Sequence, residues 1–217
     1  MNIIFATASQ LAQMIRDKEV SAVEVLDAYL EQIAKHNDKI NAIVALNSEP
    51  ARTKAIKADE AIARGENWGV LHGVPITIKD LFKTAGLTTT AGCLPLKDYV
   101  PDEDAVTVAR LKAEGAIILG KTNIPQFGGD YQTNNPVFGR TNNPWDLDRT
   151  VGGSSGGSGG AVAAGFSPLD LGSDIAVRFV FLPIIVAYTG LYRRMVEFLL
   201  RGICHPYQDN LNIFVKC

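Results

Sequence analysis

Two segments of the chain combine residue types that could carry out acid–base or nucleophilic chemistry. Lys79 ends the apolar segment GVPITIK. A lysine buried at the end of a strand loses the hydration of its charged form, which lowers its pKa and lets it act as a neutral base. Further along, residues 152–160 read GGSSGGSGG, and the hydroxyl of Ser154 can accept one hydrogen bond while it donates another. If the fold brings these two side chains together, they could relay a proton. Without that role, Lys79 would form a salt bridge and Ser154 would cap the following helix.

The glycine- and serine-rich run 152–160 has three interpretations. Gly/Ser tracts are typical of flexible linkers. Glycines also let backbone N–H groups approach a phosphate, but the Lys-Ser/Thr pair that completes a Walker motif is absent. The context disfavours a linker, because an Asn-Pro turn signal and Trp145 precede the run and the small-residue segment AVAAGF follows it. The third interpretation, a catalytic loop, depends on a resemblance that this run shares with other motifs of the chain.

The elements that must position these residues alternate between helices and short strands. Capping-box pairs at Thr7/Gln10 and Ser21/Glu24 predict the starts of two helices. A third helix is predicted from just after Pro50 to before Gly65, and a strand over 71–78, where Pro75 indicates a sheet edge or a strand start. A fourth helix is predicted over 104–114, closed by Gly115, and a strand buried on both faces over 116–119. This alternation predicts an α/β fold.

Composition excludes several classes of protein. The 217 residues correspond to one ordinary domain or to a part of a larger one. With 21 basic against 23 acidic residues, the net charge is −2, which argues against direct nucleic-acid binding. Cys93, Cys204 and Cys217 lack disulfide-framework or zinc spacing, which favours a reducing compartment, the cytoplasm. The N-terminus has no signal-peptide pattern, and the apolar stretch 179–191, interrupted by Pro183, is shorter than the roughly 20 residues that span a bilayer.

The motifs GVPITIKD, GAIILGKTNIPQFG, GGSSGGSGG and LGSDI together resemble the amidase signature family, over roughly residues 5 to 175. The family includes general amidases and the A subunit of the glutamyl-tRNA(Gln) amidotransferase. The resemblance implies a mixed sheet flanked by helices and a triad of a nucleophilic serine, a serine on a cis peptide bond and a lysine. Lys79 matches the catalytic lysine and Ser154 the cis serine. It also implies a small-molecule amide substrate, amidotransferase subunits as alternative partners, and no metal or organic cofactor.

The chain departs from this family where the nucleophile should stand. The family's nucleophilic serine lies 24 positions beyond the cis serine, and that position is Arg178 here. A guanidinium stays protonated and has no lone pair to offer a carbonyl. Ile175, Ala176 and Val177 occupy the oxyanion-hole positions, and the last two replace glycines that let the backbone approach a substrate.

A single missing nucleotide would explain this departure. When residues 176–190 are reverse-translated and one G is added in front, the shifted triplets permit Gly-Gly-Ser-Ile-Arg-Phe-Pro-Ala-His-Tyr-Cys-Gly-Val-Tyr-Gly, the family's continuation. We therefore predict a division into residues 1–175, the N-terminal part of an amidase-signature domain, and residues 176–217, an out-of-frame tail.

Three functional hypotheses follow. The first is an amidase-type hydrolase by descent that is inactive as given, since the nucleophile is missing. The second is a non-catalytic interaction protein that resembles a component of an amidotransferase. The third is a working hydrolase that uses Ser155, Ser158 or Ser173 as its nucleophile.

Overall fold

The computed structural model describes residues 2–174 and 212–215 of the chain. Five helices and nine strands lie in these residues. They are α1 (Ala8–Arg16), α2 (Ala22–Ile40), β1 (Ile43–Leu46), α3 (Ser48–Ala63), β2 (Pro75–Lys79), α4 (Val106–Ala113), β3 (Ile117–Thr122), β4 (Asn134–Asn135), β5 (Gly139–Arg140), β6 (Asn142–Asn143), β7 (Asp146–Thr150), α5 (Gly156–Ala163), β8 (Asp170–Asp174) and β9 (Asn212–Val215). Three short 3-10 turns, Ile3–Phe5, Leu94–Leu96 and Gln126–Gly128, complete the set.

The main sheet has five described strands in the order β1-β3-β2-β8-β9. The central strand β2 is parallel to both β3 and β8, whereas β1 and β9 pair antiparallel at the two sides. Parallel pairing needs crossover connections, and helices provide them. The expected α/β fold with a mixed sheet is therefore confirmed.

The two predicted capping boxes are present. At the start of α1, the backbone N–H of Gln10 donates to Thr7 Oγ1 at 3.2 Å, and the N–H of Thr7 donates to Gln10 Oε1 at 2.9 Å. Ser21 and Glu24 form the same pair at the start of α2, at 3.0 and 2.8 Å. Each box satisfies two backbone donors that a helix start leaves unpaired.

Other element bounds differ from those predicted. The strand expected over 71–78 forms only as β2 from Pro75, because the N–H of Leu71 donates to Glu114 O and Gly73 turns the chain at φ +75°. Pro75 begins the strand but does not lie at a sheet edge, since β2 is central. The helix α3 begins at Ser48, ahead of Pro50.

The fourth helix is shorter than expected, and the strand after it is longer. Asp104 stays outside α4, where its carboxylate accepts from the N–H of Ala85 at 2.8 Å and from Lys112 Nζ at 2.7 Å. Gly115 follows the helix at φ +87°, as predicted. The strand β3 is buried along its whole length, as predicted, but extends to Thr122.

A single apolar core joins the helices to the sheet. From α2 it receives Val25, Leu26, Tyr29 and Ile33, at helical spacing, and from α3 the buried alanines Ala51, Ala55 and Ala58. Within the described residues, every helix is too short or too polar to cross a bilayer. The apolar stretch 179–191 lies outside the described residues.

Candidate active site

Lys79 is the last residue of the central strand β2, and its side chain is fully buried. Its Nζ donates to Ser154 Oγ at 2.9 Å and to the carbonyl oxygen of Ser173 at 3.2 Å. Lys79 is therefore not exposed to solvent. Three distant parts of the chain meet at this amine: the end of β2, the glycine-rich loop and the end of β8.

Ser154 lies in the loop between β7 and α5, and the peptide bond from Gly153 to Ser154 is cis. The side chain of Ser154 is 3% exposed. The helix α5 begins at Gly156 with Ser155 as its N-cap, so Ser154 is not the capping residue. Its hydroxyl faces Lys79 instead.

The glycine-rich run is not a flexible linker. Residues 152–160 are all buried, and α5 begins within the run. A Cβ at Gly157 would lie 2.3 Å from the backbone nitrogen of Asn123, and one at Gly153 would lie 2.8 Å from the carbonyl oxygen of Asp130. The glycines therefore allow the loop to lie directly against neighbouring backbone.

Ser155 ties this loop to the end of β8. Its Oγ donates to Ser173 O at 2.9 Å and accepts from Ser173 N at 3.2 Å. The Ser173 carbonyl thus accepts from both Ser155 and Lys79. Ser155 is fully buried, with its hydroxyl bonded to the Ser173 carbonyl, and Ser158 and Ser173 are each less than 5% exposed. The hypothesis that one of them is a substitute nucleophile gains no support from this arrangement.

A buried polar layer surrounds Lys79 on its own face of the sheet. Thr122 is paired in register with Lys79, and Asp170 with Thr77. Thr122 Oγ1 donates to Asp170 Oδ2 at 3.0 Å and lies 3.2 Å from Ser158 Oγ. Burial raises the pKa of Asp170, while the hydroxyls around it and the charge of Lys79 act in the opposite direction.

The sequence patterns did not single out Asp170. An acidic residue in the mostly apolar segment FSPLDL was the available signal. Its neighbours become apparent only from the parallel pairing of β8 with β2.

A buried ion pair occupies the opposite face of the sheet. Lys121 Nζ lies 3.9 Å from Asp80 Oδ1 and donates to Thr89 Oγ1 at 2.9 Å. Asp80 also accepts from the backbone and hydroxyl of Thr90. Burial raises the pKa of Asp80, and Lys121 opposes that shift. The pair holds the segment after β2 against β3.

The remaining predicted site positions lie outside the described residues. These are the oxyanion-hole positions Ile175, Ala176 and Val177 and the nucleophile position Arg178. The structure therefore brings Lys79 and Ser154 together and describes β8 as far as Asp174.

Comparison with known proteins places these motifs in a family. The Amidase family model matches residues 24–177. The A subunit of the glutamyl-tRNA(Gln) amidotransferase from Acidothermus cellulolyticus is 44% identical over 173 residues, which is 80% of this chain and 34% of that protein. The corresponding protein of Carboxydothermus hydrogenoformans is 45% identical over 174 residues, 80% of this chain and 36% of that protein. The chain thus spans about a third of the length of these relatives.

Solved structures agree with this assignment. A peptide amidase from Stenotrophomonas maltophilia has a TM-score of 0.89 at 27% identity, over 97% of this chain and 45% of that chain. A fatty acid amide hydrolase has a TM-score of 0.84 at 28% identity, over 94% of this chain and 36% of that chain. With the family match covering most of its residues, the chain belongs to the amidase signature family.

Proposed function

We propose that residues 1–175 are the lysine- and cis-serine-bearing part of a carbon–nitrogen hydrolase. The observation that carries this proposal is the buried hydrogen bond of 2.9 Å between Lys79 Nζ and Ser154 Oγ. A buried lysine against a serine hydroxyl is an arrangement suited to moving a proton, because burial favours the neutral amine. The family membership supports the same roles for these two residues.

The proposed reaction is acyl transfer. A nucleophilic serine attacks the amide carbonyl and passes its proton to Ser154, which passes its own proton to Lys79 Nζ. The same route returns a proton to the departing ammonia or amine, and water then cleaves the acyl enzyme. The backbone N–H groups of positions 175–177 would hold the oxyanion. Each step uses groups of the polypeptide and water.

We propose that this chain, with Arg178 at the nucleophile position, does not hydrolyse amides. The loss of one G after the Ile175 codon would produce this change and make residues 176–217 an out-of-frame tail. The family match supports this boundary, since it ends at residue 177, two positions after Ile175. The shifted reading of residues 176–190 supplies the expected serine.

Resequencing the gene from source DNA across codons 170 to 220 tests the frame. The proposal is supported if the DNA contains a G after codon 175, or if the alternative reading frame continues with the family's sequence. It is contradicted if the DNA encodes residues 176–217 as they stand and the alternative frame has no such continuation.

Activity is measured as ammonia release from simple amides. The chain with Arg178 is compared with the frame-restored protein, which is the product of the gene after the G is added back. We expect ammonia release from the frame-restored protein alone.

A second candidate function is a non-catalytic interaction protein. The relatives named as the A subunit of an amidotransferase favour it, since that name describes a member of an assembly. Co-purification of the tagged chain with the other amidotransferase subunits would support this alternative. Recovery of the chain alone, under conditions in which a full-length relative recovers its partners, would count against it.

The proposed setting is the cytoplasm, and the proposed substrate is a small-molecule amide. The net charge of −2 disfavours direct contact with a nucleic-acid backbone. Within the described residues, no group of three or more His, Cys, Asp or Glu side chains could hold a metal ion.

A further inference from the structure

The carboxyl group of Asp170 shares a face of the sheet with Lys79. Residues 77 and 79 of a strand point to the same face, and residues paired in register point alike. Asp170 is paired with Thr77 across β2 and β8. From the other side of this face, α5 places Ser158 Oγ 3.2 Å from Thr122 Oγ1. Asp170 is therefore enclosed between the sheet and α5, and it is 5% exposed.

The surroundings of Asp170 are hydroxyl groups and one cation. Thr122 donates to Oδ2 at 3.0 Å, and Oδ1 has no hydrogen-bond partner among the described residues. Within residues 2–173, the charged side chain that acts on Asp170 is Lys79, from β2. The hydroxyls near Asp170 belong to Thr77 of β2, Thr122 of β3 and Ser158 of α5. Asp80 and Lys121 lie on the opposite face of the sheet.

In the proposed reaction, a negative charge close to Lys79 Nζ would stabilise the protonated amine. When Lys79 Nζ accepts the proton of the nucleophile, it becomes an ammonium ion in a fully buried position. An isolated buried ammonium is costly, and an opposite charge nearby reduces that cost. The aspartate of Ser-His-Asp triads has this role toward its imidazolium and does not itself take the proton.

We propose that Asp170 is a positioning residue that supplies the counter-charge of Lys79. This inference rests on the proposed function. Asp170 acts through Lys79 and does not touch the substrate. Its ionised carboxylate stabilises the protonated amine, and its hydrogen bond from Thr122 holds it on the face where Lys79 meets Ser154.

Lysine NMR titration of the 217-residue chain tests this proposal without any substrate. Lysine labelled with ¹³C at Cε reports the protonation of Lys79, whose signal is assigned by its loss in K79M. We expect D170N to lower the Lys79 midpoint by about one pH unit or more, a tenfold weaker hold on the proton. D80N is the matched control, because it removes a buried carboxylate from the other face, and it should leave this midpoint unchanged. An unchanged midpoint in D170N would overturn the proposal.

The reciprocal measurement does not depend on the folding of D170N. Coupling between two sites acts equally in both directions, so K79M should raise the midpoint of the Asp170 carboxyl by a similar amount. An Asp170 midpoint that is the same in K79M and in the unaltered chain would also overturn the inference. A purely structural role for Asp170 would move neither midpoint. Failure of the proposed function would appear instead as a restored gene product that releases no ammonia, while these titrations are unaffected.

Discussion

Lys79 and Ser154, separated by 75 positions in the sequence, are joined by a buried hydrogen bond of 2.9 Å. The contact depends on two features of the fold: a strand that ends inside the molecule, and a loop whose glycines allow backbone-to-backbone approach. The first prediction concerns the chemistry of this pair. The others concern the elements that support it.

Removal of the amine of Lys79 should abolish catalysis in the frame-restored protein. Loss of a positioned general base typically lowers the rate about 10²- to 10⁴-fold, so we expect K79M to lower kcat by at least about 10²-fold. Steady-state ammonia release measures this effect. Lys54, an exposed lysine that lies over the Trp68 ring, provides the control variant K54M, which should retain its activity. Equal rates in K79M and in the unaltered restored protein would exclude the proposed role of Lys79.

Substitution at Gly157 should destabilise the loop that carries Ser154. Ala in place of Gly inside a helix usually stabilises a protein by about 1 kcal/mol. In G157A, however, the new methyl group would lie 2.3 Å from Asn123 N and 2.4 Å from Asn123 O, both backbone atoms. Overpacking of this kind costs about 1–3 kcal/mol, so we expect the midpoint of urea unfolding to fall. In G129A the nearest atom lies at 3.4 Å, and its midpoint should change little. A rise in the midpoint of G157A would contradict the structure of this loop.

Removal of one charge of the buried Asp80–Lys121 pair should lower the free energy of unfolding more than removal of both charges. K121M leaves a buried carboxylate without its cation at 3.9 Å, and such a change typically costs about 3–5 kcal/mol. The double variant D80N/K121M removes both charges and should recover much of that loss. Equilibrium unfolding in urea of the native chain, both single variants and the double variant gives the coupling energy. Additive effects of the two single changes would show that the charges do not interact.

Glu24 should make the stability of the chain depend on pH. The backbone N–H and the hydroxyl of Ser21 donate to its carboxylate, so the pKa of Glu24 lies below its ordinary value. A lowered pKa in the folded state adds stability above the unfolded pKa of about 4.3, and this stability is lost as the pH falls through the folded value. The Tm difference between the native chain and E24Q should therefore be largest near neutral pH and vanish in acid. Q10E, in the capping box of α1, should gain the same dependence. A difference that is constant across pH would contradict the assignment.

Capping-box spacing in the sequence predicted where α1 and α2 begin. It could not predict element bounds that depend on contacts between residues far apart in the chain. Thr7 and Ser21 cap their helices through partners only three residues away, so spacing alone was sufficient. The strand expected from residue 71 begins instead at Pro75, since the N–H of Leu71 bonds to Glu114, a distant residue. No local pattern shows such a contact.

The same distinction applies to the candidate site. Lys79 and Ser154 could be proposed as site residues because short motifs carry them. Asp170 could not, because its relation to Lys79 depends on the parallel register of β8 against β2. Sequence alternation predicts which residues of one strand share a face, but not which strand lies beside it.

The central claim is that Lys79 and Ser154 activate a serine at position 178 of the frame-restored protein. Covalent trapping with a fluorophosphonate, followed by peptide mass spectrometry, tests it most directly, because such a reagent modifies an activated serine hydroxyl. We predict an adduct on the serine at position 178 of the restored protein, its loss in K79M and S154A, and no adduct on the chain that carries Arg178. An adduct that persists in K79M, or a restored protein with no adduct at that position, would contradict this account.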